Sequence, residues 1–141
     1  MLSLGLADGF LSLEENVFCG HSILNANLGT ARCDFPGGSS KALYESTRKL
    51  LGLPNHYKLW TGHDDPKAAE RRCPVPYMSV GEQRQGNRHV HKHVTEQTFR
   101  QMRDERDAGL GDPELLHASL QINIRGGRLP KPTPQGEYYL P

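Results

Sequence analysis

The chain has 141 residues and a formal net charge of +1, with 17 lysines and arginines against 16 aspartates and glutamates. This length is typical of a single domain, and the balanced charge provides no global field that would attract nucleic acid or an anionic membrane. The 15 glycines and 10 prolines indicate a folded domain rich in loops. We therefore expect one core, no nucleic-acid partner and no membrane partner.

Cysteine usage bears on the compartment. Cys19, Cys33 and Cys73 form no C-x-x-C pair and cannot all be joined in disulfides, which argues against a secreted disulfide scaffold. The start of the chain contains Asp8 and no basic segment, and no apolar run approaches the roughly 18 residues that span a bilayer. We expect an unprocessed, soluble, cytoplasmic protein.

Short apolar runs predict the strands. Alternating leucines over residues 2–6 and 11–13, separated by Asp8-Gly9, are typical of a β-hairpin. Two further runs, Val17-Phe18-Cys19 and Leu59-Trp60-Thr61, indicate buried strands. Each of these two runs is followed directly by a Gly-His pair, so both strands are predicted to end beside a histidine.

Two helices have clear start and stop signals. Ser39 or Ser40 can cap a helix that ends at Gly52, and Thr95 can cap another that ends near Gly109. The side chains predicted to face inward from these helices are Leu43, Tyr44, Thr47, Leu50, Leu51, Phe99 and Met102.

The rest of the chain has weaker signals. Residues 80–90 favour a helix in spite of two glycines, and Asp112-Pro113 opens another helix that carries Leu115, Leu116 and Leu120. Residues 128–141 contain four prolines and no helical period, which predicts an extended tail. This order of strands and helices predicts a mixed α/β layer.

His21 and His63 follow the two buried strands and are candidate metal ligands. Ligand sites in α/β layers form at the carboxyl ends of strands, and neutral imidazole is the commonest metal ligand in proteins. The alternative is that both are ordinary surface-loop histidines, because two histidines do not complete a zinc shell of four ligands.

Longer motifs surround the two histidines. V-F-C-G-H ends at His21, G-T-A-R-C-D-F-P-G-G spans residues 29–38, and T-G-H-D contains His63. In this order they resemble the metallo-β-lactamase superfamily, and more narrowly its branch of glyoxalase II-like hydrolases and persulfide dioxygenases. The likeness covers roughly residues 16–130 and corresponds to the carboxyl-terminal half of such a domain.

The resemblance implies a fold and a division of the chain. It implies an α/β fold, the carboxyl-terminal half of an αββα sandwich over residues 1–130, followed by an extended tail over residues 131–141. Half of a sandwich exposes a sheet edge and an apolar face that the other half would cover. We therefore expect self-association through the exposed sheet edge.

The resemblance also implies zinc or iron. In that family the metals are held by an H-x-H-x-D-H loop, a further histidine, an aspartate after a strand-Gly pair and the histidine of G-H-D, which His63 matches. His21 stands where the family has the aspartate, and the sequence contains no H-x-H-x-D-H. An imidazole offers one lone pair whereas a carboxylate can bridge two cations, so we expect at most one loosely held ion.

Arg32 and Asp34 match the family pattern and are the candidate catalytic residues. A guanidinium can grip a carboxylate or a thiol-derived anion, and a carboxylate can orient a ligating imidazole. We therefore assign Arg32 to substrate binding or structural ion pairing, and Asp34 to the support of His63. The alternative is a local Arg32–Asp34 salt bridge that holds the loop.

Two other features have competing interpretations. His89, His91 and His93 alternate along the chain, and we interpret them as a solvated basic patch with adventitious metal binding as the minor outcome. Cys19 precedes His21 by two residues and could reach a metal as a thiolate, although a small buried cysteine is the commoner use.

Two classes of function remain open. In the first, the chain is a metallo-hydrolase or sulfur dioxygenase that acts on a small thioester or persulfide, with an incomplete metal site of its own. In the second it is a non-catalytic truncated remnant or interaction module of the same ancestry.

Overall fold

The computed structural model describes residues 2–3, 10–35, 37–62, 64, 66 and 73–136. The chain divides into two compact units, Met1–Ala108 and Gly109–Pro141. The boundary at residue 130 that the sequence suggests stays a prediction. None of the helices in the described part of the chain has the length and apolar character that a membrane span requires.

Within the described residues, five strands form one sheet whose spatial order follows the chain. They are β1 (Leu2–Ser3), β2 (Leu11–Leu13), β3 (Asn16–Gly20), β4 (Lys58–Thr61) and β5 (Tyr77–Ser79). Strands β3 and β4 run parallel, and the other neighbouring pairs run antiparallel.

The predicted strands are confirmed where the structure describes them. β1 pairs with β2 as the hairpin requires, although its connection, residues 4–9, lies outside the described residues. β3 and β4 coincide with the two apolar runs. β5 is not predicted from the sequence, because three residues are too few to show a period of two.

One face of the sheet packs against helices. Side chains alternate between the two faces of a strand, so Val17, Cys19 and Leu59 share this covered face, and each is at most 1% exposed. They belong to a single buried cluster with side chains from the helices and loops above them. The buried members are Val17, Cys19, Ile23, Leu50, Leu51, Leu59, Val80, Val90 and Phe99.

The opposite face, which we call the open face, carries large apolar side chains. Leu11 lies opposite Phe18, Phe18 opposite Trp60, and Trp60 opposite Tyr77, which makes a continuous row across four strands. We call these four residues the apolar row. The ring centroids of Phe18 and Trp60 are 5.8 Å apart and those of Trp60 and Tyr77 are 4.9 Å apart, yet Phe18 is 43% exposed.

Helix α1 (Ser40–Leu51) matches its prediction closely. Ser39 is the N-cap, and its Oγ accepts a hydrogen bond from the Ala42 N–H at 3.2 Å. The Gly52 N–H closes the last turn by donating to the Arg48 carbonyl. The predicted inward residues Thr47, Leu50 and Leu51 are buried.

Helix α2 (Val80–Gly86) is shorter than the predicted helix over residues 80–90. Ser79 and Glu82 form a capping box at its start. The helix ends because the Asn87 side chain offers an alternative partner to the following backbone: its Oδ1 accepts from the N–H groups of His89 and Val90.

Helix α3 (Glu96–Asp107) begins as predicted. Thr95 is the N-cap, with its Oγ1 accepting from the Thr98 N–H at 3.2 Å. Phe99 is fully buried in the cluster and its ring lies 5.6 Å from that of Tyr44 on α1. Contacts between α1 and α3 thus build the layer above the covered face.

The second unit contains helix α4 (Leu116–Asn123). The sequence predicts this helix, but the predicted start and the predicted buried face are wrong. It begins three residues after Pro113, without a side-chain cap, and Leu115 and Leu120 are exposed. Residues 128–136 contain no helix or strand, and the rest of the predicted tail lies outside the described residues.

Candidate functional site

A pocket of about 450 Å³ lies at the carboxyl end of β3. Its walls are formed by the end of this strand, by residues 31–33 of the G-T-A-R-C segment at residues 29–33, and by the first two turns of α1. We call residues 29–33 the pocket segment. The lining residues are Cys19, Gly20, His21, Ser22, Ala31, Arg32, Cys33, Gly38, Ser39, Ala42, Leu43 and Ser46. Two of the predicted site residues, His21 and Arg32, therefore share one pocket.

Close backbone packing places His21. The Gly62 N–H donates to the Gly20 carbonyl at 2.8 Å, which ties together the ends of β3 and β4. A Cβ at residue 62 would lie 2.8 Å from Cε1 of His21, so the glycine leaves room for the imidazole ring. His63, the other predicted ligand, lies outside the described residues, so its pairing with His21 stays a prediction.

Arg32 and Asp34 form a two-pronged ion pair. Nε of Arg32 donates to Oδ1 of Asp34 at 2.6 Å, and Nη2 donates to Oδ2. The guanidinium also lies over the Phe35 ring, 4.8 Å from its centroid. The hydrogen bond from Arg32 holds the pKa of Asp34 below its ordinary value. The local salt bridge is thus present, and the predicted support of His63 by Asp34 stays a prediction.

Cys19 keeps its proton. Its Sγ donates to the Trp60 carbonyl at 3.2 Å, and the residue is 1% exposed. Burial raises the pKa of this thiol to about 12, because a thiolate loses its hydration in the core. The burial of Cys19 and the hydrogen bond from its thiol to Trp60 favour the commoner use of a buried cysteine, as a small core residue.

The described donor atoms do not fit a metal shell. Among residues that the structure describes, no group of three or more His, Cys, Asp or Glu side chains is placed to share an ion. Asp34 is paired with Arg32, and Oδ2 of the buried Asp64 accepts the Val75 N–H at 3.0 Å. His21 alone supplies too few ligands for zinc or iron, so we derive no reaction step through a metal.

Several residues that hold the pocket segment are not evident from the sequence. His89 is 5% exposed and Nδ1 of its ring accepts the Thr30 N–H, so its interpretation as part of a solvated patch is wrong. His93, by contrast, is exposed. Oδ2 of Asp107 accepts the Cys33 N–H at 2.7 Å. Thr30 and His89 are 59 positions apart in the chain, and no local pattern signals such a contact.

Known proteins resemble this chain over most of its length. Glyoxylase B2 of Dictyostelium discoideum is 41% identical over 127 residues, which are 90% of this chain and 43% of that protein. A probable metallo-hydrolase of Burkholderia pseudomallei is 42% identical over 90% of this chain and 42% of its own length. A crystal structure of ETHE1 from Myxococcus xanthus matches with a TM-score of 0.70 and 27% identity, over 84% of this chain and 48% of that one. This chain belongs to the metallo-β-lactamase superfamily.

The relatives confirm the resemblance that the motifs indicate. The structural match confirms the predicted fold class, a mixed α/β architecture that corresponds to the carboxyl-terminal half of the sandwich. The relatives support a metallo-hydrolase-like ancestry for this chain. The superfamily also suggests that the chain binds a metal ion. The chain spans less than half the length of these relatives. No family model matches it.

Proposed function

We propose that the pocket of this metallo-β-lactamase-fold chain binds a small anionic ligand derived from a thiol, either a thioester or a persulfide. The observation that carries the proposal is that Arg32 and His21 line the same pocket at the end of β3. The amino-terminal turn of α1 forms another wall, where backbone N–H groups carry partial positive charge. A glyoxylase among the relatives supports this substrate class.

Arg32 is the residue proposed to contact the anion. A guanidinium favours carboxylates because it presents N–H groups in a planar fork. The Phe35 ring packs against the Arg32 guanidinium and limits its movement. Asp34 already occupies part of this fork, so an incoming anion competes with it. Asp34 therefore positions Arg32 and moderates its affinity for anions.

Catalysis is the finer part of the proposal. When bound, zinc or iron would supply Lewis-acid chemistry, as expected of a metallo-hydrolase or a sulfur dioxygenase. The described residues offer His21 to such an ion and do not complete its shell. Metal-dependent turnover thus requires ligands beyond those that the structure describes.

Calorimetric titration with a small carboxylate-bearing thioester tests the binding proposal, with the matching oxygen ester as a chemical control. Arg32→Ala should weaken thioester binding about tenfold, the loss expected for a charge-assisted hydrogen bond. Arg100→Ala is the matched control, because Arg100 is an exposed arginine paired with Glu96 on α3. Equal affinities for the Arg32→Ala variant and the parent chain would refute the proposal.

A second candidate function is a non-catalytic interaction module. The apolar row favours it, because Leu11, Phe18 and Tyr77 of this row are exposed and contiguous apolar side chains on a surface mark sites of protein association. The partner proposed here is a second copy of the chain, which joins through the sheet edge and the adjoining open face.

A further inference from the structure

His89 contacts the pocket segment at unusually close range. Gly29 has a φ of +97°, and a Cβ at this position would lie 2.1 Å from Nδ1 of His89. The same nitrogen accepts the Thr30 N–H at 3.0 Å, and the Thr30 Oγ1 lies 3.3 Å from it. Glycine therefore serves both the left-handed backbone and the close approach of the imidazole ring.

This hydrogen bond specifies one protonation state of His89. A backbone N–H can only donate, so Nδ1 must be the unprotonated nitrogen of the ring. Burial, together with the smaller effects of Arg106, Arg103 and Arg88, lowers the pKa of His89 to about 4, while Asp107 opposes this shift. A proton on Nδ1 would point at the Thr30 N–H and remove the bond.

A second anchor lies at the other end of the pocket segment. Arg103 is 3% exposed and donates to the Thr30 carbonyl at 3.4 Å and to Oδ1 of Asp107. The other oxygen of Asp107 accepts the Cys33 N–H. Arg32 lies between these two points of attachment, so the location of its backbone depends on both.

We propose that His89 is a positioning residue for the pocket. Its neutral ring accepts the Thr30 N–H, fixes the pocket segment and thereby sets where Arg32 and Cys33 lie in the pocket wall. The proposal rests on the geometry of the pocket segment, and it holds whichever ligand the pocket binds.

Two substitutions separate this role from simple filling of space. Asparagine can place its side-chain oxygen near the position of Nδ1 and cannot be protonated there, whereas alanine offers no acceptor. We would compare His89→Asn with His89→Ala in the full chain carrying Cys73→Ser. In this background Cys33 is the accessible thiol, because Cys19 is 1% exposed.

The readout is the rate at which iodoacetamide alkylates Cys33 at pH 7.5, with the modified residue located by mass spectrometry. Local opening of the pocket segment should raise this rate about tenfold in His89→Ala and by less than about threefold in His89→Asn. Both variants lose the imidazole ring, so equal acceleration in both would overturn the proposal.

A measurement on the unaltered chain covers the case in which His89→Ala fails to fold. Nitrogen chemical shifts of the His89 ring should show an unprotonated Nδ1 at pH 7. The hydrogen-exchange protection of the Thr30 amide should fall at least about tenfold as His89 is titrated with acid, while the Phe99 amide in α3 keeps its protection. A protonated Nδ1 at pH 7, or Thr30 protection that ignores the titration, would overturn the proposal.

Discussion

The two faces of the sheet differ in how far their apolar side chains are exposed to solvent. Leu59 and Val17 are fully buried beneath the helices, whereas their strand neighbours Trp60 and Phe18 lie on the open face, with Phe18 nearly half exposed. Both faces are apolar, so the strands read as continuous hydrophobic runs typical of burial on both sides. Such a run shows that two faces are apolar, and it does not show which of them the rest of the chain covers.

The largest effect on the free energy of unfolding should come from truncating one side chain on each face to alanine. Leu59→Ala should cost about 3 kcal/mol of unfolding free energy, because it leaves a cavity in the buried cluster. Trp60→Ala should cost only about 1 kcal/mol, since it removes ring contacts and a hydrogen bond to Asn16 on a wetter surface. Urea denaturation followed by circular dichroism measures both, and equal costs would break the distinction between the two faces.

The sequence predicted features that depend on nearby residues. The caps Ser39 and Thr95 and the apolar face of α1 follow from side chains a few positions apart, and they are confirmed. The motif order also led to the correct superfamily. The burial of His89 escaped prediction because it depends on Gly29, on Thr30 and on a buried polar network, which only the folded chain brings together.

Lowering the pH should reduce the free energy of unfolding through the protonation of His89. Between pH 6.5 and about pH 4 the unfolded chain binds a proton at His89 that the folded chain does not, so stability falls as the pH is lowered through this window. The loss should reach about 2–3 kcal/mol. Urea midpoints across this range provide the measurement, and His89→Asn should flatten the slope.

Asp34 supplies the internal comparison for that titration. Its pKa is lowered, so its contribution is present above the ordinary pKa of 3.8 and is lost only at lower pH. Asp34→Asn should therefore leave the slope between pH 6.5 and pH 4 unchanged. If the wild-type chain were equally stable at pH 6.5 and pH 4, the neutral state of His89 would contribute nothing to folding.

A smaller effect is expected on self-association. Replacing Phe18 and Tyr77 together by serine removes two exposed rings from the open face, which should weaken association of the chain with itself about tenfold. Leu129→Ser is the matched control, because Leu129 is an exposed apolar residue of the second unit. Sedimentation velocity at several concentrations gives the result. A parent chain that stays monomeric at millimolar concentration would rule out this use of the open face.

The smallest effect concerns His21, where we expect no gain of activity. His21→Asp restores a carboxylate that can bridge two cations, yet the donors around it are committed elsewhere or lie outside the described residues. The variant alone should therefore show neither thioester hydrolysis nor persulfide oxidation, and elemental analysis should find at most one metal ion per chain. His93→Asp, a change at an exposed histidine, is the control for nonspecific metal uptake.

We expect a different result for His21→Asp when the open face is covered. The resemblance implies that the other half of the sandwich packs on that face and carries the H-x-H-x-D-H loop, so adding such a segment from a relative should produce turnover in His21→Asp. Covering the face would then complete both the core and the metal shell, which connects the stability of the fold to its chemistry. Metal-dependent turnover by the unmodified chain, abolished by His63→Ala, would instead show that the ligands already present suffice.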